Sequence, residues 1–132
     1  MITAYTIVYR KDALKPIYIF VILFGLVYGF GIWWIPYLYI WTILWAMIML
    51  LPKNMKPKVA VPVYMIVSGL HGLLYGTLYA PAQAFLYGYD FKTMVAWIIA
   101  GLPFDAMHAV GNVVLGLLII PIATALRKFH KY

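Results

Sequence analysis

The chain has 132 residues, 67% of them hydrophobic and only 10% charged, with a mean hydropathy of +0.96. A soluble domain carries about 25% charged residues, so the composition points to an all-α, polytopic integral membrane protein and against a soluble fold. No cysteine and no glutamate is present, and Asp12, Asp90 and Asp105 are the acids, which leaves no disulfide framework, no thiolate zinc site, no cysteine nucleophile and little scope for paired-carboxylate chemistry.

The net charge of +7 reads as membrane topology and not as nucleic-acid binding, because the basic residues are clustered between long uncharged runs. Residues 1–15 carry Arg10, Lys11 and Lys15 ahead of the first long run. They do not form a signal peptide, whose charges would precede its apolar stretch. Residues 16–52 are uncharged and long enough for two crossings at about 20 residues each. A turn is expected at Gly31–Pro36, where Trp33 and Trp34 suit the headgroup level. The loop 53–58 contributes Lys53, Lys56 and Lys58, and 59–79 reads as a third helix. In 80–103, the residues Pro81, Gly88, Asp90, Gly101 and Pro103 are expected to cut the chain into two short or re-entrant helices facing outward. A last helix follows over 104–126, and a basic tail over 127–132 with Arg127, Lys128 and Lys131. The expectation is one transmembrane domain over 1–132, with four firm spans and up to six. The positive-inside rule puts the N-terminus, the 53–58 loop and the C-terminus in the cytoplasm of a cell membrane.

Polar residues within such a chain mark function or packing. Asp105, His108 and Asn112 are spaced i, i+3, i+7 and share one helical face. That face either turns toward a ligand cavity, the favoured reading, or serves as a cap and interhelical glue, with Asp105 at the start of the last helix after Pro103. The break at 80–103 places the expected pocket near 80–112. His71 lies among Gly69, Gly72 and Gly76, a small-residue spacing that lets helices approach closely. It reads as a packing residue or as a second contributor to the cavity. With His108 it could also ligate a metal or haem, but two histidines without a supporting carboxylate cluster make a weak metal signal. Gln83 offers two donors and an acceptor. Tyr79 and Trp97 belong to the aromatics of the outward half, most of which read as interfacial belt, with one or two free to stack on a ligand. No Gly-rich phosphate motif, zinc spacing or Ser/His/Asp order is present, and the Asp105/His108 pair has no nucleophile near it in sequence. No cofactor and no enzymatic activity are therefore expected.

The stretch HGLLYGTLYAPAQAFLYGYDF through TMVAWIIAGLPFDAMHAVGNVVLGLLIIPIATALRK resembles the substrate-binding S components of energy-coupling factor transporters. WTILWAMIMLLPKNMKPK ahead of it is similar to the second helix and first cytoplasmic loop of such proteins. The resemblance covers about residues 36–128 and is sharpest at Pro103, Phe104, Asp105, His108 and Asn112. It implies capture of a vitamin or similar organic micronutrient, with His108 and Asn112 facing the substrate. The implied partners are a transmembrane scaffold subunit and two cytoplasmic ATPases. Two other readings stand beside it. A small self-assembling multidrug-type transporter or channel would need an acid in an early helix, and 16–52 has none. An accessory subunit of a membrane complex would use Gly72/Gly76 for packing.

Overall fold

A computed structural model describes residues 1–129, and every regular element among them is helical. The α-helices are α1 (Ile2–Tyr9), α2 (Leu14–Tyr28), α3 (Tyr37–Met49), α4 (Pro57–Leu73), α5 (Tyr75–Tyr87), α6 (Phe91–Leu115) and α7 (Ile119–Phe129). Short 3-10 turns occupy Arg10–Ala13, Ile32–Trp34 and Gly116–Leu118. The end of the expected basic tail, from His130 through Lys131 to Tyr132, lies outside the described residues.

Residues 1–15 are expected only to flank the first span, but α1 packs inside the bundle against α3 and α7. The reason is a face of small and apolar residues with hydrogen-bonded threonines: Thr3, Ala4, Thr6 and Ile7 are buried, Thr3 bonding Ser68 and Thr6 the Ile2 carbonyl. Its eight residues reach about 12 Å at 1.5 Å each, only part of a bilayer. The chain then reverses at Arg10, whose φ of 52° is unusual for a side-chain-bearing residue. The reversal is stapled to α3 from both directions. The Arg10 guanidinium donates to the Met49 carbonyl at 3.2 Å, and the Trp45 indole donates to the Arg10 carbonyl at 2.9 Å.

Ile17, Val21 and Gly25 are the buried residues of α2. Their i, i+4, i+8 spacing makes a single stripe, and α2 packs on α3. Tyr18 bonds Leu38 and Thr42, and Trp34 bonds Val21, which fixes the two helices as antiparallel. The turn between them holds Trp33 and Trp34, as expected.

The stretch 80–103 departs from expectation. It is interrupted only at Gly88–Asp90, while Pro81 and Pro103 sit inside α5 and α6. A proline costs a helix one ladder bond, and packed neighbours tolerate that loss in membrane helices. Gly88 ends α5 in the left-handed conformation, with φ of 70°, a region open to glycine without a Cβ penalty. Tyr89 N–H bonds back to the Ala84 carbonyl at 2.9 Å. Asp90 then caps α6 by accepting from Thr93 N–H at 2.8 Å. The last helix thus begins at Phe91, not near 104, and runs on through a 3-10 turn into α7.

A core at one end of the bundle joins Ala4 and Ile7 of α1, Leu44 and Ile48 of α3, Ala60 and Tyr64 of α4, and Ile119 and Ala123 of α7. The basic clusters gather at this end. Tyr64 lies within electrostatic reach of Arg10 and Arg127, and Arg10 touches the end of α3 that leads into the lysine loop. Among the described residues, Ile32–Met49, Pro57–Tyr87 and Phe91–Phe129 are the three helical stretches long and apolar enough to cross a membrane. They are compatible with a membrane-embedded protein. The 15 residues of α2 extend about 22 Å, short of the hydrocarbon thickness of about 30 Å, so a fourth span does not follow from length.

Candidate functional site

Two constructions meet on α6. The first is a seam with α4 and α5, made by glycine. A Cβ on Gly72 would stand 2.9 Å from the His108 carbonyl carbon, one on Gly69 would stand 2.5 Å from Val113 Cγ2, and one on Gly76 would stand 2.5 Å from the Asp105 carboxylate. Only hydrogen fits there, so the backbones approach at the distance that small-residue packing allows. Both oxygens of Asp105 accept from Gly76 N–H, at 3.0 and 3.1 Å, and the residue is 3% exposed. Gly76 is the second residue of α5, and the joint at Leu74 leaves its N–H as one of the orphan donors of a helix start. A carboxylate at that point also complements the α5 dipole. Asp105 therefore caps α5 across the seam. The expectation that it caps its own helix is corrected, since Pro103 and Asp105 both lie in the middle of α6.

The second construction is a polar belt one turn further along. The Asn112 amide donates to the Ser68 carbonyl at 3.0 Å, and the Ser68 hydroxyl shares a hydrogen bond with Thr3 at 3.1 Å. His71, only 1% exposed, bonds the Ile40 carbonyl through Nε2 at 3.0 Å. A carbonyl can only accept, so that partner assigns the ring proton to Nε2 and leaves Nδ1 as an acceptor in the neutral ring. The belt joins α1, α3, α4 and α6. Above it is a cavity of about 670 Å³ whose lining includes Ser68, His71, Asn112 and Thr3, with Trp41, Ile17, Phe20, Leu23 and Leu115 among its apolar walls. That volume is in the range of small-molecule pockets. Among the described residues, no Lys, Arg, Asp or Glu side chain lines it.

Of the residues singled out in the sequence, His71 and Asn112 come together in this cavity. Asp105 belongs to the seam. His108 is exposed beside the Tyr75 ring, with centroids 5.3 Å apart. Tyr79 and Trp97 stack on each other at 5.9 Å, and the Tyr79 hydroxyl donates to the Trp33 carbonyl. Gln83 keeps a buried Oε1 without a hydrogen-bond partner among the described residues. None of these last five lines the cavity, and neither does any residue of 80–103, although a pocket is expected near 80–112. The reason is the helical continuity of α5 and α6, which fills that region with ring stacking. Sequence reasoning missed Thr3, Ser68 and Trp41. Ser68 stands three residues before His71 and so on its face, a signal that was present. Thr3 sits in a segment whose burial the nearby charges conceal. The Trp41 indole nitrogen is buried with no partner among the described residues. No protein-family profile, curated protein or solved structure matches the chain, so the site is read from its own residues.

Proposed function

We propose that this protein is a membrane-embedded substrate-binding subunit for uptake of an organic micronutrient, energised by partner proteins. The carrying observation is the cavity, where apolar walls surround the hydrogen-bonding groups of Ser68, His71 and Asn112. Apolar surroundings with a few convergent polar fixtures suit capture of a small organic molecule. The resemblance of residues 36–128 to S components supplies the finer reading: a scaffold subunit, two cytoplasmic ATPases and a binding role without catalysis. In this reading α2 completes a fourth pass beside the three long stretches. The basic end, with the 53–58 loop, faces the cytoplasm of a prokaryotic cell membrane by the positive-inside rule.

One observation weighs against an accessory packing subunit. Gly69, Gly72 and Gly76 are occupied by the chain's own α6 and are not free for a partner. A multidrug-type exporter is disfavoured because the one acid within the long apolar stretches, Asp105, is committed to Gly76 N–H.

The test is affinity purification from native membranes in mild detergent, with mass spectrometry of accompanying proteins and small molecules. A scaffold subunit, paired ATPases and a bound organic compound are the expected companions. A ligand-free protein recovered with a different membrane complex would overturn the reading in favour of the accessory role.

A further inference from the structure

The position of the cavity bears on how its ligand arrives and of what kind it is. Ser68 lies eleven residues into α4 from Pro57, about 17 Å from the basic end at 1.5 Å per residue. The cavity is thus at mid-depth and far from the α5–α6 turn. On one side its lining comes from α2 (Ile19, Phe20 and Leu23), and on the other from the end of α6 (Leu115). These lining residues are also widely exposed, Leu23 at 54% and Leu115 at 62%, so the cavity is open along them. A residue that both walls the cavity and shows on the flank marks a mouth. That mouth is apolar and opens sideways, toward the hydrocarbon. The opposite wall is polar: Ser68 and His71 are more than nine-tenths buried. Asn112 donates one N–H to Ser68 and keeps its Oδ1 and second N–H.

We propose that the ligand is a neutral, bilayer-soluble small molecule that enters laterally between α2 and α6, places one polar group against Asn112 and Ser68, and leaves its apolar body toward Leu23 and Leu115. This rests on the small-molecule reading above and adds the ligand's class and route. The lining favours a neutral ligand: none of its side chains among the described residues is charged, and the α-amino group of Met1 is the one cationic group beside them. The amphiphile follows from the order of the walls, polar inside and apolar at the mouth. A water-soluble ligand would require the reverse arrangement, with polar residues at an aqueous opening.

The absence of native cysteine makes the test clean. Leu23→Cys, and Ile19→Cys one turn earlier on α2 as a second variant should the first fail to fold, are reconstituted in liposomes. Each is treated with pyrene maleimide, which partitions into the bilayer, or with a trimethylammonium methanethiosulfonate, which does not. The lipid-soluble reagent is expected to label at least about tenfold faster, because a fixed cation is excluded from hydrocarbon. The neutral fluorophore 1-aminoanthracene, an apolar body with one polar group, is expected to bind saturably and to slow that labelling. Asn112→Ala is expected to weaken its binding about fivefold, the size of one lost neutral hydrogen bond. Equal labelling by the charged reagent would overturn lateral access while leaving the small-molecule reading intact. Fast lipid-phase labelling that the fluorophore does not slow, with a different, charged or water-soluble small molecule recovered in the purified protein, would overturn the ligand class while leaving the small-molecule reading intact. Failure of the underlying reading looks different: no small molecule of any kind is recovered or bound.

Discussion

Two sides of α4 face neighbours in opposite ways. Toward α6, Gly69 and Gly72, continued by Gly76 at the start of α5, bring backbone against backbone, and the polar groups there are consumed by the fold: Asp105 by Gly76, and one amide hydrogen of Asn112 by Ser68. Toward α2, the same helix presents Ser68 and His71 to a cavity that the apolar residues of α2 approach but do not fill. Helices in lipid have no hydrophobic drive to associate, so close packing and hydrogen bonds decide which contacts are tight. Where glycine permits contact the seam closes, and where Ile19, Phe20 and Leu23 stand off it stays open. Residue type alone therefore does not separate glue from ligand contact in this chain. The size of the residue opposite does.

The comparison breaks most severely at Gly72. Gly72→Leu drives a side chain into the α6 backbone, and overpacking of this kind costs typically about 1–3 kcal/mol, occasionally more. Because the clash is with His108 and Ala109 main-chain atoms, the upper end of that range is expected, read as a large drop in the thermal midpoint of the detergent-solubilised protein. A midpoint close to that of wild type would mean that the seam is not the tight side.

Asp105→Ala comes next. It leaves a buried N–H without an acceptor, a loss of about 1–3 kcal/mol. Asp105→Asn keeps an acceptor and is expected to recover more than half of the lost midpoint. Equal losses for the two variants would show that the carboxylate charge at the α5 start, and not the hydrogen bond, matters.

Asn112→Ala sharpens the comparison, because this residue belongs to both sides. Interhelical hydrogen bonds in membranes average about 0.6 kcal/mol, so the midpoint is expected to move little while ligand binding weakens clearly. A large stability loss with unchanged binding would return Asn112 to the seam alone.

Much of this was readable in the residues. The long uncharged runs give the helical class, the tryptophans give the α2–α3 turn, and the i, i+3, i+7 spacing correctly puts Asp105, His108 and Asn112 along one side of one helix. The face could not say what stands across from each position. Asp105 meets a helix start and Asn112 lies beside a cavity, while His108 is exposed against Tyr75. That is a matter of register between helices, and a single sequence carries no register information for a seam made of hydrogens. Proline misled for a related reason. Pro81 and Pro103 read as breaks because each removes a ladder bond, but packing against neighbouring helices, not local propensity, governs continuity within a bundle. The burial of α1 was hidden by Arg10 and Lys11, whose charges suggest a solvated flank although one side of the preceding turns, with Thr3, Ala4, Thr6 and Ile7, is buried.

The smallest expected effect lies at the turn that closes the far end of the seam. Asp90 is exposed, and its hydrogen bond from Thr93 at the start of α6 holds its carboxyl below the usual carboxylate range. A depressed folded pKa contributes stability above the unfolded value, and that contribution is lost as pH falls through the folded one. The thermal midpoint of wild type is therefore expected to be insensitive to this group at neutral pH and to decline below about pH 4, the ordinary carboxylate range. Asn at position 90 still caps the helix but does not titrate, so Asp90→Asn is expected to remove part of that acid decline while leaving the neutral midpoint nearly unchanged. The measurement is a pair of midpoint-against-pH curves from 7 to 3. Parallel curves would assign the acid sensitivity elsewhere. A flattened curve would show that the α5–α6 turn is held by its own cap, independently of the buried carboxylate that fastens the seam.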